Sequence, residues 1–414
     1  MGTGPSGGSL KRELGVGDAI VIGAGSMIGA GVFAVWAPAA RAAGDALVFG
    51  LAIAGVVAFC NATSSAQLAA IHPESGGTYV YGRRQLSPFW GHLAGWGFVV
   101  GKTASCAAMA LTIGAYLTPD HARPTAVMAV VVITAVNLGG LTRTVAVTRV
   151  LLLVSVTALV VIVGRALSFD ATAVPLTPVP EDPNWFDILQ AAGFMFFAFA
   201  GYARIATLGE EVKDPARTIP IAIPLALFGV LALYVVVGLV MLDAVGAAGL
   251  AATDAPLRSV FVFQPRFEWL VQLGAGVASL GVLLNLIPGV SRTTMAMARN
   301  RELPSWFAHV DGARSLPLRA ELTVAAVVVV LVLSLDIANS IAVSGVAVLT
   351  YYAVTNAAAL TLTPEQRRWP QVLPVMGLFG CAVLIFSLPG SALIGGLVVV
   401  GLGVVAGVAA RRRT

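Results

Sequence analysis

The stretch GAGSMIGAGVF, Gly23–Phe33, lies inside an apolar segment long enough to cross a membrane, and its reading decides the fold. Four glycines within nine residues make a poor helix, because glycine in a helix interior costs about 1 kcal/mol against alanine. In hydrocarbon each unsatisfied backbone amide or carbonyl costs several kcal/mol more, so a break survives only where it lines a cavity. Discontinuous membrane helices aim freed N–H groups and a helix N-terminus at anionic groups near the bilayer midplane. The spacing therefore predicts a broken first helix with a ligand site at the break. Close helix packing through small residues is the alternative. A dinucleotide loop does not fit, since Gly23, Gly25 and Gly29 form GxGxxxG and no strand precedes them.

The rest of the chain supports a membrane setting. Of 414 residues, 58% are hydrophobic and only 11% charged, far outside the range of soluble domains. Cys60, Cys106 and Cys381 are widely separated, and each sits in an apolar run, which suits packing rather than a disulfide or metal ligation. His72, His92, His121 and His309 lie in or beside loops without metal-ligand spacing. Neither a metal nor a cofactor is expected. Residues 1–14 are polar and rich in Gly and Ser, with no cleavable signal ahead of the first span.

Apolar runs able to span about 30 Å of hydrocarbon as helix can be drawn twelve times: Gly17–Ala40, Asp45–Ile71, Phe89–Leu117, Thr125–Leu141, Thr144–Leu167, Phe186–Leu208, Ile219–Leu242, Trp269–Met297, Glu321–Leu335, Ile337–Leu362, Pro370–Leu388 and Ser391–Ala410. An even number puts both termini on one side. With that side cytoplasmic, eighteen Lys and Arg residues face the cytoplasm, among them Lys11, Arg83, Arg143, Arg149, Lys213, Arg314 and Arg411, and five (Arg41, Arg123, Arg165, Arg258, Arg266) face outward. The net charge of +5 thus reports orientation in a cell membrane, and no nucleic-acid partner is needed.

The sixth span carries a matching interruption: FFAFAGYARIA, Phe196–Ala206, places Gly201 and small residues among aromatics at the depth where the first span breaks. Corresponding breaks in two halves are the mark of inverted repeats. The expected organisation is a cytoplasmic tail (1–16), a first five-helix repeat (17–167), a second of opposite orientation (186–362), two additional helices (370–410) and a cytoplasmic tail (411–414).

Longer strings carry a family resemblance. HPESGGTYVYGRRQLSPFWGHLAGWGF (His72–Phe98), FFAFAGYARIATLGEEVKDPARTIPIAI (from Phe196) and SRTTMAMARNRELPSWFAHV (from Ser291) resemble, with the first-span glycines, amino acid permeases of the amino acid–polyamine–organocation (APC) superfamily. The resemblance covers both repeats almost end to end. It implies the leucine-transporter fold, an all-α polytopic 5+5 inverted repeat with helices 1 and 6 broken, and transport of an amino acid or related amine coupled to protons or run by exchange. It also implies that the substrate carboxylate meets backbone N–H groups of Gly29, Ala30 and Gly31, and that the amine meets carbonyls among Met27, Ile28, Phe197, Ala198 and Ala200. Side-chain choice then falls to residues such as Phe199 and Tyr202. Some proton-coupled members carry a lysine in helix five; here that helix has none, and Arg149 lies near its cytoplasmic end.

Two charges lie at membrane depth. Lys102 is thirteen residues, or about 20 Å of helix, beyond Phe89. Such residues face a cavity or a partner, and desolvation together with nearby positive helix ends is expected to favour neutral lysine. A structural ion pair is the alternative to a proton carrier. Arg204 follows Ala200 by one turn; it stays protonated, which suits a gate or structural pair with Asp18, Glu210 or Glu211, or contact with an acidic substrate group. Tyr351 and Tyr352 fit either a gate or interior packing.

Three function classes remain to be weighed. A secondary transporter, symporter or exchanger, accounts for the breaks. A membrane-embedded enzyme would need convergent His, Asp, Glu, Ser or Cys residues at depth, and none appears. A channel or solute sensor on the same fold is the third. No ATP-binding loop suggests a primary pump. The expected partners are a small amino acid or amine, protons and the lipid bilayer.

Overall fold

The computed structural model describes residues 12–74, 76–139, 145–168, 178–206, 210–261, 265–311 and 316–411. Expected features at residues 1–11, Leu141, Arg143, Thr144, Leu208, Arg314 and 412–414 lie outside them. Among the described residues the chain is all helical, apart from isolated bridges at Leu14–Val212 and Asp311–Leu316.

The first span is three helices, α1 (Val16–Met27), α2 (Ala30–Ala34) and α3 (Trp36–Ala43); α4 (Leu47–Ile71) follows. A short α5 (Thr78–Gln85) leads to α6 (Pro88–Leu117), α7 (Ala122–Leu138) and α8 (Val145–Ala166). The sixth span is split into α9 (Trp185–Phe199) and α10 (Ala203–Ala206). After it come α11 (Pro215–Ala251), α12 (Glu268–Arg299), α13 (Leu318–Ser334), α14 (Ile337–Leu360), α15 (Val372–Ser387) and α16 (Gly390–Arg411). Nine segments among the described residues are long and apolar enough to cross a membrane, with Trp185–Phe199 and Val372–Ser387 shorter apolar helices. The chain is a polytopic membrane protein.

Local chemistry sets several boundaries. Asn184 caps α9 by accepting from the N–H groups of Phe186 and Asp187, while Asp187 accepts from the Asn184 N–H, a reciprocal capping box. Asp336 caps α14 through the Asn339 N–H at 2.7 Å. Proline opens α6 and α11, where the missing N–H costs nothing. Within α11 the helix is interrupted close to the expected end at Leu242: Gly246, at φ 66° and ψ 170°, leaves the helical region, and a second helical stretch follows the kink.

The bundle has an interior and a rim. In α6, 83% of the most apolar window is buried, against 22% in α8 and α16. α6 therefore runs through the middle, packed on α12 and α14, and α8 and α16 keep apolar faces outward, as a lipid-facing helix must. All three cysteines are buried and free.

At the end of the bundle near the start of α1, the chain ties itself shut. Glu13 and Leu14 donate their N–H groups to Glu211 O, and Lys213 N–H donates to Leu14 O, so the last residues of the expected tail pair with the segment after α10. The Asp18 carboxylate pairs with Arg149, joining α1 to α8. Glu302, just past α12, accepts from Arg83 and from the Tyr79 hydroxyl, fastening α5 to α12. Burial, with the Glu302 charge added, pushes the Tyr79 phenol up to about 12.

Candidate functional site

Both expected interruptions are present and they touch. α1 stops at Met27; Ile28 (φ −77°, ψ 67°) and Gly29 (φ −119°, ψ −145°) leave the helical region before α2 resumes at Ala30. α9 stops at Phe199 and three residues pass before α10. A Cβ on Gly201 would lie 2.2 Å from Ser26 O, and one on Gly31 would lie 2.6 Å from Ala198 Cα. No side chain fits at those distances, so these glycines let the backbones at and beside the two breaks pass in direct contact.

Breaking two helices frees carbonyls that hydrocarbon cannot solvate, and side chains from three other helices cover them. The Tyr234 hydroxyl, from α11, lies 2.8 Å from Met27 O and 3.2 Å from Ala198 O. The Tyr352 hydroxyl, from α14, donates to Ala200 O at 3.2 Å. Lys102 Nζ, from α6, donates to the same oxygen at 3.1 Å. Lys102 thus meets the carbonyl end of α9, where the helix dipole is negative and favours a cation. Gly29 and Gly31, at the N-terminal end of α2, line the same cavity as Lys102.

Around the breaks lies a cavity of about 780 Å³ of empty space, its open mouth included. Met27, Gly29, Gly31, Lys102, Phe197, Ala198, Ala200 and Arg204 line it. Ile28, Ala30, Phe199, Tyr202 and Tyr351 sit in the packed core outside that lining. Phe199 packs on Tyr234 and Tyr202 stacks on Tyr352, with ring centroids 5.2 and 5.1 Å apart. Tyr351 is one layer further back. Its hydroxyl accepts from the Thr78 N–H, and its ring lies against Phe98, which does line the cavity.

α12 supplies a wall that the sequence did not point to, through Val282, Asn285, Leu286 and Gly289, and α6 adds Ser105 and Met109. None of the described lining residues is acidic. Arg204 feels the attraction of Glu211 and the repulsion of Arg292, whereas Asp18, another expected partner, is taken by Arg149. Tyr352, expected as a gate or as interior packing, is packed with its hydroxyl on Ala200 O, whereas Tyr234 could have been suspected only because a tyrosine hydroxyl inside hydrocarbon must find an acceptor; which acceptor was not legible.

Two broken helices thus meet around one mostly apolar cavity. The profile of the amino acid permease family matches residues 14–406, nearly the whole chain. The chain belongs to the amino acid permease family. An uncharacterized transporter of Mycobacterium tuberculosis is 54% identical to this permease over 400 residues, covering 96% of this chain and 91% of its own. A chloroplastic cationic amino acid transporter of Arabidopsis thaliana is 27% identical, covering 92% of this chain and 71% of its own. A branched-chain amino acid permease of Bacillus subtilis is 24% identical, covering 92% and 89%. This permease is accordingly a transporter and not an enzyme, and its helices make it a multi-pass membrane protein.

Proposed function

We propose that this permease is a secondary active transporter that carries an amino acid or related amine across the cytoplasmic membrane by alternating access, coupled to protons. The observation that carries the reading is the contact of the two interrupted helices around one cavity, with Gly201 against Ser26. A zwitterion suits such a place, because its carboxylate can take N–H groups among Gly29, Ala30 and Gly31, Gly29 giving up its present bond to Met27 O, and its amine the carbonyls of Ile28, Phe197 or Ala198. In this reading the chain crosses the membrane twelve times with both termini cytoplasmic. Residues 17–167 and 186–362 form two inverted five-helix repeats, and 370–410 stand outside them. Support comes from the interruption of the first helix of each repeat and from the eighteen-to-five partition of basic residues.

Lys102 is the titrating group in this scheme. Its ammonium bonds directly to the carbonyl at the α9 break, so a change in its protonation acts on the backbone that surrounds the substrate. Arginine cannot fill the role because it does not release its proton. Uptake into proteoliposomes under an imposed pH step tests coupling. We expect Lys102→Met to lose proton-driven accumulation while substrate exchange persists. Undiminished proton-driven accumulation in the variant, or sodium dependence in the native protein, would reduce Lys102 to a structural residue; exchange without accumulation in the native protein would make the permease an antiporter.

A further inference from the structure

We infer that protons reach Lys102 along a file of serine hydroxyls between α6 and α14, entering at the N-terminal end of α14; the inference rests on the proton-coupled reading above, in which that end faces outward. Asp336, Ser340 and Ser344 recur every four residues, so they share one side of α14 about 6 Å apart. Asp336 is exposed, whereas Ser340 and Ser344 are buried. Ser344 Oγ meets Ser105 Oγ of α6 at 2.7 Å. One turn further along α14 stands Val348, against which Gly101 packs, so the polar line leaves α14 at Ser344 and passes to α6. Ser105 lines the cavity, as does Lys102 three residues before it, a spacing that makes them neighbours on the helix surface. The file therefore starts in water and ends at the cavity.

A second observation marks the middle of the file. The Ser340 hydroxyl is fully buried and finds no bonding partner among the described residues. Hydroxyls elsewhere in the bundle turn onto the carbonyl four residues back, as those of Ser291, Thr294 and Thr350 do. An unbonded hydroxyl in hydrocarbon is a standing cost. A water between Ser340 and Ser344 removes it, because about 6 Å is the span of two hydrogen bonds through one oxygen. Serine and water each donate and accept, so every oxygen takes a proton from one side and releases its own to the other. A proton taken from bulk water beside Asp336 thus ends as an N–H on neutral Lys102, and the file keeps no charge. The last transfer turns the Ser105 hydroxyl away from Gly101 O, now 3.0 Å distant, by rotation about one bond.

Proteoliposomes with trapped pyranine, given a radiolabelled mixture of the protein amino acids and polyamines, read proton entry and substrate flux together. Ser340→Ala removes a hydroxyl that bonds to nothing here, so the variant should fold as the native protein does. We expect it to slow proton-driven uptake, and the proton entry that accompanies it, by about tenfold or more. Label exchange at equal pH on both sides, which needs no net proton transfer, should stay within about twofold of native. Ser344→Ala, which breaks the link to Ser105, repeats the test at a second point of the file. Proton-driven uptake within about twofold of native in both variants overturns the inference and leaves the transporter reading standing. Equal losses of exchange and of proton-driven uptake would assign the serines to packing and overturn it as well. If the native protein exchanges label without moving protons, or moves nothing in the mixture, the proton-coupled reading falls and the inference falls with it.

Discussion

Two buried polar regions of this permease are built on opposite plans. At the helix breaks, backbone carbonyls are covered by side chains from α6, α11 and α14, and space is left beside them. Between α4, α14 and α15, side chains bond mainly to one another, with Asn61 Nδ2 buried and without a partner among the described residues. Asn356 donates to Asn61 Oδ1 at 2.6 Å and accepts from Ser64 Oγ at 2.7 Å, and a Cβ on Gly377 would lie 2.6 Å from its Oδ1. The second region is closed on itself and has no room for a ligand. The first keeps donors and a cavity in the same place. Buried polarity alone, even with an unpartnered donor such as Asn61 Nδ2, therefore does not mark a site in a membrane protein; polarity beside open space does. The two plans meet on one helix, since Asn356 also donates to the carbonyl of Tyr352, whose hydroxyl reaches Ala200 O.

That contrast is breakable, and the largest effect is expected at the breaks. Gly201→Leu must separate two backbones now in contact, so folding stability should fall by about 3 kcal/mol or more and transport should vanish; a monodisperse, active variant would show that the contact is not required. Asn356→Leu comes next. It strands Asn61 and Ser64, each at about 1–3 kcal/mol, and should lower the unfolding temperature while ligand affinity in the folded fraction stays unchanged. Altered affinity would mean that the closed cluster communicates with the cavity through α14.

Tyr234→Phe should behave the other way round. It uncovers Met27 O beside the cavity, where a water can replace the hydroxyl, so stability should drop by only about 1 kcal/mol while ligand affinity falls measurably. A stability loss as large as that of Asn356→Leu with affinity intact would erase the distinction between the two regions.

The smallest effect is expected where polarity meets water. Burial lowers the His72 imidazole below the ordinary value of 6.5, with Glu74 opposing the shift. A base whose folded pKa is depressed stabilises the fold above its unfolded value and loses that contribution as pH falls through 6.5, because the unfolded chain then binds the extra proton. Acidification from about pH 7 to about pH 5 should lower the unfolding temperature slightly, and His72→Gln should flatten part of that slope. An unchanged slope in the variant would place the titrating group elsewhere.

Much of the architecture was legible because hydrocarbon makes helix formation local. Every backbone group in a span must find its partner within the span, so apolar length and composition predict helices, and glycine clusters at Gly23–Gly31 and Gly201 predict where a helix stops. What surrounded those stops was not legible. The short helix α5, with Tyr79 and Arg83 fastened to Glu302, lies in a polar stretch with no periodicity to separate it from a loop. Phe199 and Tyr202 looked like side chains facing a ligand, yet each is packed against a tyrosine from another helix.

The sequence by itself determined that this protein is a bundle of membrane helices, two of them broken, with a lysine and an arginine at depth. Only the tertiary structure decided what the breaks bond to. Lys102 reaches Ala200 across 98 residues of chain, Tyr352 reaches it across 152, and Tyr234 reaches Met27 across 207. A hydrogen bond depends on ångströms of separation, and that separation is set by how α6, α11 and α14 pack around α1 and α9, a property of the assembled bundle that no single segment contains.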